Sequence, residues 1–438
     1  MAVGPVKLRR VFSCAMPEIT EEQFSAEAVA FLEANASRKA PRKAQKWGEG
    51  SDAAALFEQK DRAAERQEVE VAKQWRQKKF DAGFGWITGP AARGGRGLTS
   101  AYERLFNTLE GEFEVPNQSC FMIGLGMVAP TFLAHGTERA IDTYVKAMWR
   151  GEIVGCQLFS EPGAGSDLAS LQTKAERDGD EWVITGQKVW TSGAHYCDVG
   201  EVICRNDPFL PKHKGLTGFI VDMKDPNIEV RPLRQMTGSA NFNEVFFNEV
   251  RVPDWHRLGD VNQGWTVALT TLMNERAAIG AGGGGAGRGD FMSLDRLAAM
   301  LHAMGKGSDK VLRDELMQLW ISQTVNKYTG QRALARVKAG ALPGPEMSIT
   351  KLAGARNSTA LSAYVSKVLG PKLIADTGEW GTYAWSQFVL GTPGSRIAGG
   401  SDEVMRNIVG ERVLGLPKEP GIDSVTPFNE LTVGTQTA

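Results

Sequence analysis

Between about residue 155 and residue 262 this chain changes texture, and that change limits the folds open to it more than any other feature. Runs such as EWVIT, KVWTS, GFIVDM, IEVRPL and NEVFFNEVRV are short, β-branched or aromatic, and partly alternating, with Gly, Asn and Asp between them. Side chains on a strand point alternately to its two faces, so such runs suit an antiparallel sheet or barrel. On either side the apolar residues return at helical spacing. Thr20 with Gln23 gives a capping-box signature at the head of EEQFSAEAVAFLEANA, and Thr137 heads ERAIDTYVKAMWRGE. Ser51-Asp52 is expected to cap a charged helix running towards Phe80, and Gly186-Gln187 to turn a hairpin between Glu181–Thr185 and Lys188–Ser192. The expected fold class is α+β: an N-terminal α-helical domain over 1–152, a central antiparallel β-barrel domain over 153–262 and a C-terminal helical bundle over 263–438. The sequence contains neither a βαβ alternation nor an internal repeat.

A chain of 438 residues has room for two or three such domains. Its formal net charge of -1 argues against the broad basic face that nucleic acid requires. The five cysteines include no CxxC pair and are odd in number, which suits reduced thiols in a cytoplasmic protein rather than a disulfide scaffold. His135, His195, His213, His256 and His302 show no ligand spacing, so no metal site is expected. The longest apolar stretch, Cys120 to Ala134, is broken by Gly124, Gly126 and Pro130 and is shorter than the ~20 residues of a bilayer span. It reads as a buried helix. The N-terminal residues lack the apolar core of a signal peptide. A GxGxxG at Gly282, Gly284 and Gly287 follows a helix rather than a strand, so it is no dinucleotide fingerprint.

One block is more specific. From Cys156 to His195 the chain reads CQLFSEPGAGSDLASLQTKAERDGDEWVITGQKVWTSGAH. Alone, Gly163-Ala164-Gly165-Ser166 could be an ordinary turn, or small residues that let the main chain press against a flat ring or a phosphate. Paired with GQKVWTSGAH, the block resembles the flavin-contacting segment of the acyl-CoA dehydrogenase family. Arg93–Leu98, His135–Glu138, Arg150–Glu152 and Glu411–Pro417 also look like family landmarks, in family order, so the resemblance spans roughly residues 20–420.

The resemblance implies FAD as cofactor, an acyl-CoA substrate desaturated between its α and β carbons, and an electron-transfer flavoprotein as acceptor. It also implies a role in fatty acid or lipid catabolism and a homo- or heterotetramer. Carried over by position, Phe159 and Ser160 would line the flavin ring, and Ser166 would bond a flavin phosphate or the thioester side of the substrate. Trp190 would stack near the ring, Thr191 and Ser192 would bond its polar edge, and Ser401 with Glu403 would meet the adenosine end. Arg276 would help hold the CoA.

The reaction needs a carboxylate to take the α-proton, best held in an apolar pocket. Many members place it near the C-terminus, where this chain has Arg396-Ile-Ala-Gly-Gly-Ser-Asp-Glu403 and the base position falls on Gly399. Glycine has no proton-accepting side chain. Members resembling isovaleryl-CoA dehydrogenase carry the base on an earlier helix, in a motif that Asn274-Glu275-Arg276 matches, so Glu275 is the expected base. Gly399 keeps its N–H, which in the family polarises the thioester carbonyl. The segment that in the family reaches a neighbouring subunit's FAD is not recognisable within 288–315. The QxxGG-type segment is absent too, Lys367–Pro371 being nearest. Two other functions therefore stand beside the dehydrogenase: a non-catalytic subunit stabilising an active partner, and a flavin oxidase or monooxygenase on the same scaffold.

Overall fold

A computed structural model of the chain describes residues 19–40, 46–56, 60–280, 290–338, 344–418, 420 and 424–432, with only the backbone of 276–280, 290, 337 and 338. The Gly282–Gly287 motif lies outside the described residues. By packing the chain divides into two compact units, residues 1–41 with 78–115 and residues 42–77 with 116–438.

The first elements in chain order are α1 (Glu21–Asn35), β1 (Ser37–Arg38), α2 (Arg62–Asp81), α3 (Ser100–Glu110) and β2 (Phe113–Glu114). Helix α1 opens on the capping box read from the sequence: Thr20 accepts from Gln23 N, and Gln23 reaches back to the Thr20 N–H. Two orphan amide donors are thereby satisfied together. In the first unit Phe24, buried on α1, meets Phe84 and Tyr102 edge-on, and Phe84 stacks on Phe106 of α3 at 4.8 Å. The cap expected at Ser51-Asp52 is not where α2 begins. Asp61 does that work, its Oδ1 accepting from Ala63 N and Ala64 N at 2.9 and 3.1 Å.

The second unit continues with α4 (Ala129–His135), α5 (Glu138–Ala140) and α6 (Lys146–Arg150). Thr137 accepts from Ala140 N as a cap should. The stretch expected as one buried helix is an unbroken, largely buried helical run, with a 3-10 turn at Ser119–Phe121 and a π-helical turn at Gly124–Val128 leading into α4. The strands follow: β3 (Gly155–Leu158), β4 (Lys174–Asp178), β5 (Glu181–Ser192), β6 (Val199–Arg205), β7 (Leu216–Asp222), β8 (Ile228–Leu233), β9 (Phe242–Pro253) and β10 (Arg257–Leu258). They make one eight-stranded sheet in the order β10-β7-β6-β4-β5-β9-β8, with β3 also paired to β6.

Two expectations need correction here. The sheet is not a closed barrel, because β8 and β10 stand at its two ends and do not pair with each other. Nor is it purely antiparallel, since β3 and the start of β4 run parallel to β6. Strand β6 is buried at every residue, whereas β5 and β9 largely alternate. A central strand covered on both faces reads as a continuous apolar run, and one with a single covered face alternates. Sheet residues such as Trp182, Phe219 and Phe247 share a core with Val69 and Ala72 of α2.

The expected hairpin at Gly186-Gln187 is displaced as well. Strand β5 runs straight through both residues, and the two-residue turn is Gly179-Asp180, between paired Asp178 and Glu181. Gly186 marks a register shift against β9 and lies so close to Thr173 that a Cβ there would sit 2.7 Å from the Thr173 Cα.

After the sheet come α7 (Gly264–Gly280), α8 (Leu294–Ala303), α9 (Lys310–Lys338), α10 (Met347–Leu369), α11 (Trp385–Gly391) and α12 (Asp402–Ile408). Their second core gathers Phe291, Leu297, Leu316, Tyr364, Trp385 and Phe388. Helix α9 leaves Met317, Trp320, Ile321, Val325 and Tyr328 exposed. Among the described residues no helix is long and apolar enough to cross a membrane, and no group of three or more His, Cys, Asp or Glu side chains is placed to hold a metal ion.

Gly186→Ala is expected to destabilise the protein by about 1–3 kcal/mol, the usual cost of forcing a methyl into a filled core. Chemical denaturation of the two proteins checks this.

Candidate active site

Strand β3 delivers the chain to Phe159 and Ser160, and the SEPGAGSD loop that follows is fastened from below. Lys188 Nζ, fully buried on β5, donates at 2.9 Å both to Phe159 O and to Glu161 Oε1. The Glu161 carboxylate also accepts from Gln172 N at 2.6 Å and Thr173 N at 2.8 Å. Val189 N donates to Ser160 O at 2.8 Å, and Glu161 and Ala164 exchange two main-chain bonds. Burial alone would push the Glu161 carboxyl up, but the Lys188 charge and the donated N–H groups outweigh it and hold the group below its ordinary value of 4.5. With its base held, the loop presents Gly165, Ser166 and Asp167 to the surface.

The end of β5 carries the second segment. A register shift against β9 falls between Lys188 and Thr191, and within it Trp190 adopts φ +61°. Left-handed backbone in a large side chain is costly and persists only when the surroundings fix it. The result is an indole that is 57% exposed, edge-on to Phe242 with centroids 5.7 Å apart. Thr191 turns the other way: it is buried, its main-chain O accepts from Asn243 Nδ2 at 3.1 Å, and its Oγ1 has no hydrogen-bond partner among the described residues. Of the Thr191–Ser192 pair, Ser192 is therefore the half-exposed member.

The third segment is the cap of α12. Ser401 accepts from Val404 N, and Ser166 Oγ donates to Ser401 Oγ at 3.4 Å, so the GAGSD loop and this cap meet. Gly399 and Gly400 both have positive φ, +65° and +94°. Asp402 is buried and paired to Arg396 at 2.8 Å, while Glu403 is exposed and reaches Arg406. Glu275 lies half-buried on α7, and the Arg276 side chain is not among those described.

Sequence reasoning passed over two groups here. Lys188 and Glu161 sat inside the quoted block, but among its other charged residues nothing in the sequence paired these two. The other is His195, whose Nε2 meets Glu65 Oε2 at 2.7 Å and also contacts Arg62 Nη1. Its Nδ1 lies 3.2 Å from Asn243 Nδ2. Nothing in the sequence linked Glu65 to the TSGAH segment.

The chain that carries this loop, strand end and helix cap is similar to known proteins. The profile of the acyl-CoA dehydrogenase middle domain matches residues 156–250, and that of the acyl-CoA dehydrogenase C-terminal domain matches residues 262–414. The acyl-CoA dehydrogenase IpdE1 of Mycobacterium tuberculosis is 34% identical over 362 residues, 81% of this chain and 90% of that protein. The chain belongs to the acyl-CoA dehydrogenase family. The acyl-CoA dehydrogenase FadE34 of the same organism is 43% identical over 291 residues, which are 66% of this chain but only 39% of that longer relative. Among solved structures, one described as the Tcur3481-Tcur3483 steroid ACAD superposes with a TM-score of 0.69 at 25% identity, covering 91% of this chain and 97% of the other. As a member of this family the chain is an oxidoreductase of the acyl-CoA dehydrogenase type, and the family is flavin-dependent.

Lys188→Met leaves the Glu161 carboxylate buried without its cation and is expected to cost roughly 3–5 kcal/mol of stability at neutral pH. Because the paired Glu161 has a lowered pKa, its contribution is full above the ordinary value of 4.5 and lost as pH falls below it. The deficit of the variant should therefore narrow on acidification. Denaturation midpoints at neutral pH and near pH 4 measure it.

Proposed function

We propose that Glu275 removes the α-proton of an acyl-CoA bound to this chain, with FAD held along the faces just described. The observation that carries this reading is the exposed, side-chain-free Gly399 where many relatives keep their base, together with a half-buried acid on α7 in the alternative register. The donor set suits a flavin. A 57% exposed indole held in left-handed backbone is a poor surface for water and a good one for a flat ring, and Phe159 lies buried behind the neighbouring loop. Ser160 and Ser192 offer hydroxyls near it; Thr191, facing inward, contributes through its backbone. By the family resemblance Ser166, Ser401 and Glu403 would meet the phosphate and adenosine parts, a reading supported by the 3.4 Å contact of Ser166 with Ser401. When bound, the flavin supplies the acceptor for the β-hydride.

The chain's own groups do the rest. Glu275 takes the α-proton, the Gly399 N–H polarises the thioester carbonyl, and Ser166 with Arg276 orients the CoA part. An electron-transfer flavoprotein would reoxidise the enzyme. The apolar residues that α9 leaves exposed support an oligomer; that it is a homo- or heterotetramer, working in the cytoplasm, follows only from the family resemblance. The steroid named for one structural relative makes a sterol-derived acyl-CoA a candidate substrate beside fatty acyl ones. A second reading, a stabilising subunit without turnover of its own, is favoured by Gly399 and by the two-component name of the same relative.

Anaerobic titration of the purified holoprotein with acyl-CoAs of graded length, branching and sterol origin should bleach the flavin with at least one of them. Glu275→Gln should slow that bleaching by roughly 100- to 10,000-fold while FAD stays bound. Undiminished bleaching in the variant would move the base elsewhere. No bleaching by the unmodified chain alone, restored by a co-purifying second subunit, would select the second reading.

A further inference from the structure

Glu201 lies on β6, fully buried, in the run VGEVIC where an apolar residue would be the ordinary choice. Its Oε1 is 2.6 Å from Thr271 Oγ1 on α7. Thr271 Oγ1 is 2.9 Å from Thr131 Oγ1 on α4, and Thr131 Oγ1 donates at 2.9 Å to Met127 O in the π-helical turn. All three side chains are fully buried, and Glu201 Oε2 has no partner among the described residues.

Each hydroxyl has one proton, and that fixes the state of the acid. If Glu201 is ionised, Thr271 donates to it, and the contact between the threonines forces Thr131 to release Met127 O. If Glu201 carries its proton on Oε1, these three bonds form together: Glu201 to Thr271, Thr271 to Thr131, Thr131 to Met127 O; Thr271 then gives up only its longer 3.3 Å contact to Val267 O, within its own helix. The neutral acid also lowers the cost of the unmet Oε2. Burial agrees, raising the carboxyl to about 8 against a smaller opposing effect of Thr271.

The chain of bonds ties two separately packed pieces, β6 and the helical run that holds Met127 and Thr131, to α7, the helix of the proposed base. Thr271 precedes Glu275 by four residues, one turn along the same face of α7. The start of α7 is pressed against β7, where a Cβ on Gly264 would fall 2.6 Å from Thr217 N, and Thr270 Oγ1 meets His135 Nε2 at 2.8 Å.

We infer that Glu201, as the neutral acid, is a positioning residue for Glu275: through Thr271 and Thr131 it fixes the rotation of α7 about its axis. The inference rests on Glu275 as the base. A small rotation would carry that carboxylate off the substrate α-carbon, and displacements of about 1 Å at a reacting group cost up to about 100-fold in rate.

The test uses the FAD-loaded protein and an acyl-CoA that bleaches it. Glu201→Met and Thr271→Val break the chain of bonds; Glu201→Gln and Thr271→Ser keep a neutral donor in place. The broken pair should show faster amide hydrogen exchange in α7 and flavin reduction slowed roughly 10- to 100-fold at saturating acyl-CoA. The half-saturating concentration should stay unchanged, and the conservative pair should behave as the parent. If Glu201→Met fails to fold, Thr271→Val carries the same comparison. Unchanged exchange in α7, or loss of function in Glu201→Gln equal to that in Glu201→Met, overturns the inference. Faster exchange with undiminished reduction also overturns it. In that case Glu275→Gln locates the fault: a variant still reduced at the parent rate shows that the base was misassigned, and one that is not reduced shows that α7 does not need the tie.

Discussion

The loop and the strand end at the candidate site are both referred to one buried ion pair. Lys188 and Glu161 join the SEPGAGSD loop and the end of β5 across their common base, and each is satisfied by further bonds to main-chain atoms. A buried pair brings little net stability compared with apolar residues of the same volume, because removing two charges from water is expensive. What it brings is direction. Lys188 has specific oxygens to meet, so the strand end and the loop can join in only one register, and Phe159, Ser160 and Trp190 are set by that register. An apolar plug would tolerate sliding.

Much of the fold could be read from residue patterns, and the failures share a cause. The caps at Thr20 and Thr137 were legible because a cap is made by residues three apart in the chain. So was the sheet region, because strand texture is local. The hairpin was not: Gly179-Asp180 and Gly186-Gln187 are both plausible turn pairs, and what separates them is that Gly186 passes against Thr173, a contact between strands. Barrel closure failed likewise, since it depends on whether β8 and β10 approach, and no residue in either strand encodes that alone.

The site divides along the same line. Its loop and strand-end residues were legible through the family resemblance, but their orientation was not. Thr191 and Ser192 look equivalent in sequence, and the register shift beside Trp190 sends one inward and leaves the other outward. Glu201 gave no signal at all. An acid in an apolar strand is indistinguishable from an edge residue until the helix above it is seen to carry Thr271.

The backbone at Gly399 has an evolutionary corollary. With φ at +65° this position is one that glycine occupies with least strain, and Gly400 beside it, at +94°, is constrained in the same way. A carboxylate reintroduced there by mutation would meet an uphill main chain before it could meet a substrate. Substitution at this position is therefore closed to most side chains by the backbone itself, whatever chemistry the new residue would offer.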